Sequence, residues 1–233
     1  MIARRSFIAA LVATPIVSAC SSGAAADTVE GMKKAPAPAL DAKTAAAGLQ
    51  KAVLAGGCFW GVQAVFAHTQ GVTRAVSGYA GGTAETADYE IVSSGRSRHA
   101  EAVEVTFDPS KVTFGQLLQI FFSVATDPTQ LDMQFPDVGP QYRNEIFFVN
   151  EEQRQIAQAY IAQLDAAGAY PKKIVTKLSA LPAFYLAEKY HQDYLFVNPD
   201  QPYIRMYDQP KIRALKALFP SQFRDKPIRY NQA

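Results

Sequence analysis

The sequence predicts an α+β protein in which helices pack on one mixed β-sheet. Short apolar runs typical of strands alternate with segments whose apolar residues recur every three or four positions, as on one face of a helix. The alternation contains no Gly-x-Gly-x-x-Gly dinucleotide fingerprint. A chain of 233 residues, 48% of them hydrophobic and 19% charged, has room for one substantial globular domain behind an export segment.

The individual elements follow in chain order from the same patterns. Strands are expected near 52–55, 74–79, 100–107, 145–149 and 174–177. Helices are expected at 59–67, 114–124 and 151–167, the last of them ending at Gly168 as its C-cap.

The N-terminus predicts export. Arg4 and Arg5 precede an apolar stretch over 7–17, and two small residues follow, so 1–20 has the organisation of a signal peptide. The arginine pair is compatible with both the twin-arginine and the general secretory route. The expected location is therefore outside the cytoplasm, in the periplasm.

The residues around Cys20 add a candidate membrane anchor. Val17-Ser18-Ala19-Cys20 is similar to a bacterial lipobox, in which the cysteine is lipidated. The alternative is an ordinary cleavage site with an incidental cysteine. Residues 21–48 are rich in Ala, Ser, Pro and Lys, and we expect a disordered tether there, followed by one folded domain over 49–229.

Charge and histidine spacing exclude two classes of partner. A formal net charge of +2 gives no reason to expect nucleic-acid binding, which needs a clustered basic face. His99 and His191 lie far apart and have no zinc-type spacing to other ligands, so we expect no metal.

Cys58 is the main candidate for chemistry. It follows Gly56-Gly57 at the point where a strand pattern gives way to a helical one. Backbone N–H groups and the dipole at a helix start stabilise an anion, so we expect a lowered thiol pKa and a reactive thiolate. The alternative is a buried cysteine that packs as a small hydrophobe.

Five ordered blocks identify the domain as similar to the A-type methionine sulfoxide reductases. The blocks are Gly57-Cys58-Phe59-Trp60-Gly61, Gly78-Tyr79-Ala80-Gly81-Gly82, His99-Ala100-Glu101-Ala102-Val103, Gly139-Pro140-Gln141-Tyr142-Arg143 and Tyr190-His191-Gln192-Asp193-Tyr194-Leu195. They cover roughly 53–204. The resemblance implies a ferredoxin-like two-layer sandwich with long irregular loops, and reduction of protein-bound methionine (S)-sulfoxide, with free methionine sulfoxide as a second candidate substrate.

Glu101 is the candidate acid for that reaction. Strand alternation places it on the same face as Val103, Val105 and Phe107, where desolvation raises a carboxyl pKa and keeps a proton available. The alternative is a strand-end glutamate that reaches water. The resemblance assigns the role of proton donor to this same residue.

The resemblance supplies the remaining site residues. Tyr89 and Tyr142 correspond to tyrosines that hold the sulfoxide oxygen, and Asp137 to an acidic residue that helps organise the site. Phe59 and Trp60 correspond to the aromatic pair that holds the substrate methyl group. Each of these residues has an ordinary packing or turn role as its alternative.

The cysteine count departs from many relatives. Cys20 and Cys58 are the two cysteines of the chain, and Ser93 stands where an internal family cysteine would be. We therefore expect a sulfenic acid on Cys58 that is reduced by an external thiol, from a thioredoxin-like protein, a glutaredoxin or a small thiol, with no bound cofactor. A monomer is expected.

Two other functions remain open from sequence. A papain-like cysteine peptidase would pair Cys58 with His191 and Asn198, although its cysteine signature is missing. A non-catalytic lipoprotein that binds peptides through its aromatic residues is the second alternative.

Overall fold

The structure is a computed structural model that describes residues 28–42 and 48–230. Ten strands occur in this part of the chain: β1 (Thr28–Val29), β2 (Met32–Lys33), β3 (Gln50–Gly56), β4 (Val72–Ala80), β5 (Ala100–Phe107), β6 (Met133–Gln134), β7 (Asp137–Val138), β8 (Asn144–Phe148), β9 (Lys177–Ala180) and β10 (Phe184–Leu186). The α-helices are α1 (Phe59–Ala67), α2 (Tyr89–Ser93), α3 (Phe114–Ile120), α4 (Glu151–Ala166), α5 (Tyr194–Val197) and α6 (Gln209–Leu218).

Six strands form the main sheet, in the order β10-β4-β5-β3-β8-β9. The central four, β4, β5, β3 and β8, pair antiparallel with one another, with α1 connecting β3 to β4 and α3 lying between β5 and β8 in the chain. This is the ferredoxin-like arrangement. Antiparallel β10 and parallel β9 extend it at the two edges, which makes the sheet mixed. The predicted α+β class is confirmed.

The main core lies between one face of the sheet and the helices. Strand β5 is buried on both faces, and its residues Val103, Val105 and Phe107 enter the main core beneath α1 and α3. A smaller apolar cluster that includes Ala102 and Phe147 covers the opposite face. Because side chains alternate across a strand, this pattern fixes which β5 residues point toward the helices.

Most predicted elements occur at their expected places. The helix over 59–67 has the predicted bounds, and α4 ends one residue earlier than predicted, with Gly168 at φ +57° behind it. The helix expected over 114–124 begins with a capping box at Thr113 and Gln116, and its final part, 121–125, is a π-helix.

The strand predicted over 174–177 is wrong in position. The pairing segment is Lys177–Ala180, which runs parallel to β8. Ile174 is buried, but its N–H donates to the Asp165 carboxylate at 3.0 Å. The N–H of Val175 donates to the Pro128 carbonyl at 2.8 Å. These bonds hold the apolar residues of the segment against α4 and a loop, outside the sheet.

Residues 28–42, which we call the N-terminal arm, are docked on the domain, so the prediction of a disordered tether over 21–48 is wrong for this part of it. The arm begins with a β1–β2 hairpin and then runs along α3 and α4. Ala35 is 6% exposed, donates its N–H to Ser123 Oγ at 2.8 Å and accepts from Gln119 Nε2 at 2.8 Å. The arm's lack of aromatic residues and of a sustained apolar period misled the prediction, because backbone hydrogen bonds, which composition does not reveal, provide much of the docking.

Further contacts hold the arm along its length. The Tyr160 hydroxyl donates to the Pro36 carbonyl at 2.6 Å. The Gln163 side chain exchanges two 2.8 Å hydrogen bonds with the arm backbone at Ala37 and Ala39. The Asp41 carboxylate accepts from the N–H of Gly115 at 2.8 Å.

The predicted signal peptide over 1–20 and the candidate lipidation site Cys20 lie outside the described residues, as do 21–27 and 43–47. Among the helices that the structure does describe, none is both long and apolar enough to cross a bilayer.

Replacement of Tyr160 by Phe tests the docking of the arm. Loss of one buried hydroxyl-to-carbonyl bond should lower the free energy of unfolding by about 1 kcal/mol and speed tryptic cleavage after Lys33 and Lys34. Tyr170→Phe is the matched control, because the Tyr170 hydroxyl donates to the Phe122 carbonyl at the same 2.6 Å. The control should be destabilised similarly without faster cleavage of the arm. Equal cleavage in both variants would contradict a docked arm.

Candidate active site

Cys58 lies where strand β3 turns into helix α1. It is the N-cap residue of α1 and follows Gly57, whose φ is +91°. A Cβ atom at Gly57 would lie 2.4 Å from Cβ of Gln134, so both the backbone conformation and the space require glycine. The tight turn at Gly57 therefore fixes the Cys58 thiol at the N-terminus of α1.

Glu101 lies beside this helix start, in β5. It is 3% exposed, and its Oε2 accepts a 3.0 Å hydrogen bond from the backbone N–H of Phe59, the residue after Cys58. Burial raises the pKa of Glu101 to about 8, against the lowering effect of the Phe59 hydrogen bond. At neutral pH the carboxyl is therefore largely protonated, as its position in the strand pattern predicted.

The thiol of Cys58 differs from the prediction. Burial raises its pKa well above its ordinary value, and the charges of Glu101 and Asp208 act in the same direction. The backbone N–H of Trp60 and the Lys211 ammonium oppose the rise but do not overcome it. The predicted lowering is wrong for this state because the helix start is dry, and desolvation of the anion outweighs the dipole.

Tyr89 and Tyr142 come to the same place from different elements. Tyr89 is the first residue of α2, and Tyr142 ends a short 3₁₀ turn before β8. Burial raises the pKa of both phenols, and the charges of Glu101 and Cys58 add to the rise, which places these four groups together. Neither hydroxyl forms a hydrogen bond with another described residue. Both are therefore free to bind a substrate atom.

The aromatic pair after Cys58 divides between the core and the site. Phe59 is 1% exposed and packs against Tyr79 and His191, with ring centroids 5.9 and 5.1 Å away. Trp60 is half-buried and stacks on Tyr194 at 3.8 Å. Phe59 therefore lies in the core and not on an accessible pocket wall, whereas Trp60 keeps part of its surface accessible.

Asp137 lies in β7 and approaches the site from the far side. Its carboxylate accepts a hydrogen bond from the Tyr203 hydroxyl, and the Tyr203 ring meets Trp60 edge-on at 5.9 Å. Burial raises the pKa of Asp137. This contact joins the β6–β7 hairpin to the segment that precedes α6.

Comparison with known proteins identifies the family. The model of the peptide methionine sulfoxide reductase family matches residues 50–223. The chain is 58% identical over 184 residues to peptide methionine sulfoxide reductase MsrA 2 of Mesorhizobium japonicum, an alignment that covers 79% of this chain and 94% of that one. It is 47% identical over 197 residues to MsrA 2 of Synechocystis, with coverage of 83% and 90%.

The chain belongs to the peptide methionine sulfoxide reductase family. It is an oxidoreductase whose reaction is the reduction of methionine sulfoxide.

Solved structures agree with this assignment. Methionine sulfoxide reductase A of Corynebacterium diphtheriae superposes with a TM-score of 0.56 at 36% identity, covering 66% of this chain and 76% of that one. The reduced form of Mxr1 from Saccharomyces cerevisiae gives a TM-score of 0.60 at 30% identity, with coverage of 68% and 91%. Both share the helices packed on a mixed, curled sheet.

Family membership and geometry leave the two alternative functions without support. In the reductase, His191 Nδ1 accepts from Trp60 Nε1 at 3.1 Å, and Asn198 donates to the Tyr194 carbonyl at 3.3 Å. Within the described ranges, no hydrogen bond joins Cys58 to His191 or His191 to Asn198, so the peptidase triad is not assembled. A pure binding protein would not require a protonated acid beside a thiol.

The histidine and acidic side chains of the described residues do not form a metal site. Across 28–42 and 48–230, no group of three or more His, Cys, Asp or Glu side chains has a metal-binding arrangement. His99 and His191 instead make protein contacts, with the Thr83 carbonyl and the Trp60 indole respectively.

Three residues of the reductase site, Tyr203, Asp208 and Lys211, could not be predicted from the sequence. Asp208 is fully buried, its Oδ1 lies 3.2 Å from Lys211 Nζ, and its Oδ2 has no partner among the described residues. All three follow the last recognised block, in a segment with no local signal for chemistry. The one available signal was Gly61, a helix glycine that marks a close approach.

Substitution of Gly61 by Ala tests that approach. The new Cβ would lie 2.1 Å from Asp208 Oδ1 and 2.9 Å from Lys211 Nζ. We expect a loss of about 1–3 kcal/mol in the free energy of unfolding, measured with urea, since overpacking displaces the buried pair. In an Asp208→Ala background the same substitution should cost clearly less. Equal costs in both backgrounds would show that Asp208 does not press on Gly61.

Proposed function

We propose that this reductase acts on the (S)-sulfoxide of methionine in proteins, with Cys58 as nucleophile and Glu101 as proton donor. The observation that carries the proposal is the 3.0 Å hydrogen bond between Glu101 Oε2 and the N–H of Phe59. It holds a carboxyl of pKa about 8 one residue from the thiol, in a dry site. A neutral acid near working pH is suited to protonating a departing oxygen.

The first half-reaction moves one oxygen atom and two electrons. Cys58 Sγ attacks the sulfoxide sulfur while Glu101 donates its proton to the sulfoxide oxygen. Because Oε2 accepts from Phe59, Oε1 is the oxygen that carries this proton. The proton of the thiol passes to Glu101, and a bond now joins Sγ to the substrate sulfur, which carries the hydroxyl. This bond and the sulfur–oxygen bond then break as the hydroxyl transfers to Sγ, so methionine leaves with Cys58 as a sulfenic acid.

The surrounding side chains position the substrate. The unpaired hydroxyls of Tyr89 and Tyr142 donate to the sulfoxide oxygen, which needs hydrogen bonds as its negative charge grows. Trp60 offers its accessible ring to the methyl group, and Phe59 supports the helix start from below. Asp137 organises the site through its hydrogen bond with Tyr203.

Recycling depends on an external thiol in this proposal. Cys58 and Cys20 are the two cysteines of the chain, and Ser93 has no thiol to offer. One external thiol attacks the sulfenic acid, releasing water and forming a mixed disulfide, and a second thiol restores Cys58. A thioredoxin-like protein, a glutaredoxin or a small thiol meets this requirement without a bound cofactor.

We also propose export to the periplasm as a monomer, with Cys20 as a lipid anchor. The support is the sequence pattern alone, namely the arginine pair, the apolar stretch over 7–17 and the lipobox-like residues. In this setting the substrates are exported proteins with oxidised methionine.

A single-turnover experiment tests the role of Cys58. Without reductant, the enzyme should convert one equivalent of the S epimer to methionine and become labelled by dimedone at Cys58, while the R epimer remains unreacted. Cys58→Ser should give neither product nor label. The appearance of an internal disulfide in place of a trappable sulfenic acid would refute the one-cysteine scheme.

The pH dependence of the first half-reaction tests Glu101. A donor must be protonated, so the single-turnover rate should hold below a pH of about 8 and fall as the pH rises through that value. Glu101→Gln should slow the step by about 10²–10⁴-fold and remove this descending limb. Glu104→Gln is the control, since Glu104 lies in the same strand but pairs with Lys51 and Arg74. A descending limb that persists in Glu101→Gln would assign it to another group.

A further inference from the structure

A groove of about 900 Å³ opens beside Cys58. One wall is the N-terminal arm, from Glu30 to Pro36, and the floor is the π-helical segment over 122–125. The opposite wall comes from the β6–β7 hairpin and the segment around Tyr203. The volume lies at the upper end of the range for pockets that enclose drug-sized ligands. One methionine sulfoxide residue would leave most of it empty.

The N-terminal arm, which forms one wall of the groove, lies outside the residues that the family model matches. The family model begins at residue 50, whereas the arm ends at 42. The arm nevertheless docks by the buried Ala35 and its hydrogen bonds with Ser123 and Gln119. One wall of the groove is therefore built from residues that precede the part of the chain matched by the family model.

The opposite rim exposes large apolar side chains. Phe135 is 69% exposed and Met206 is 64% exposed, although both line the groove. The Phe135 ring contacts Tyr207 edge-on, with centroids 5.9 Å apart. Clustered apolar groups of this kind mark interaction sites more often than scattered surface residues do.

Charges in the groove have both signs. Glu30 forms an ion pair with Arg213 at 2.8 Å, Lys34 lies over the Phe219 ring at 4.7 Å, and Asp127 lines the inner part. Mixed charges favour neither an acidic nor a basic ligand. The apolar rim is then the main source of selectivity.

We propose that this groove binds the polypeptide on either side of the oxidised methionine, as an extended segment with apolar flanking residues. The inference rests on the proposed function and adds to it a binding site for the residues that flank the sulfoxide. A folded reductant presents a broad surface to its partner, whereas an extended chain fits a narrow groove between two walls. Cys58 and Tyr203 line the groove, and the Tyr203 ring meets Trp60 edge-on, so a chain whose sulfoxide lies at the thiol can extend its flanks along the arm.

Two variants of the full chain, one on each wall, test the groove. Ala35→Asp undocks the arm, because a carboxylate cannot remain in a position that is 6% exposed without a partner. Met206→Ser removes an apolar contact from the opposite wall and leaves the arm in place. Val149→Ser is the matched control, an exposed apolar residue at 43% exposure that does not line the groove.

The assay compares three KM values at saturating co-substrate. They are measured for free methionine (S)-sulfoxide, for a short peptide with leucine and phenylalanine flanking methionine sulfoxide, and for thioredoxin as the reductant. Both groove variants should raise the KM of the peptide at least about fivefold and leave that of the free amino acid within about twofold. The control should change neither.

Each other outcome has a definite meaning. An unchanged peptide KM in both variants, or an equal rise for the free amino acid, overturns the groove as a peptide site. A rise confined to thioredoxin overturns it in favour of a reductant surface. If wild type reduces neither sulfoxide substrate, the proposed function itself fails, independently of the groove.

Discussion

The hydrogen bond from the backbone N–H of Phe59 to Glu101 Oε2 is the contact on which the site depends. It joins the start of helix α1 to the middle of the sheet, in a place that water does not reach. A backbone donor that would otherwise be unsatisfied at the helix start finds its acceptor there. The same contact sets the position of the acid and leaves its other oxygen free to hold a proton.

Desolvation explains the electrostatic state of the site better than the helix dipole does. The pKa values of Cys58, Glu101 and Asp137 are all raised, and burial is the largest cause for each. Burial therefore disfavours charge on the thiol and on the acid before substrate binds. The sulfoxide oxygen would bring a new hydrogen-bond partner for the acid and the tyrosines.

The N-terminal arm changes how the domain meets its surroundings. Its hydrogen bonds reach α3 and α4, so an apparent linker becomes a wall beside Cys58. An anchor at Cys20 would then tether the protein at the end of a segment that also borders the substrate groove.

The sequence by itself determined the α+β class, most element positions and the five blocks of family resemblance, which contain Cys58, Glu101 and Tyr142. Periodicity and turn residues are local features that predict these elements, and strand alternation was sufficient to predict that Glu101 is buried. Tertiary structure alone decided the direction of the Cys58 pKa, the burial of Phe59, the docking of the arm and the approach of Asp208 to Gly61. These depend on contacts between residues far apart in the chain, and neither composition nor spacing records such contacts.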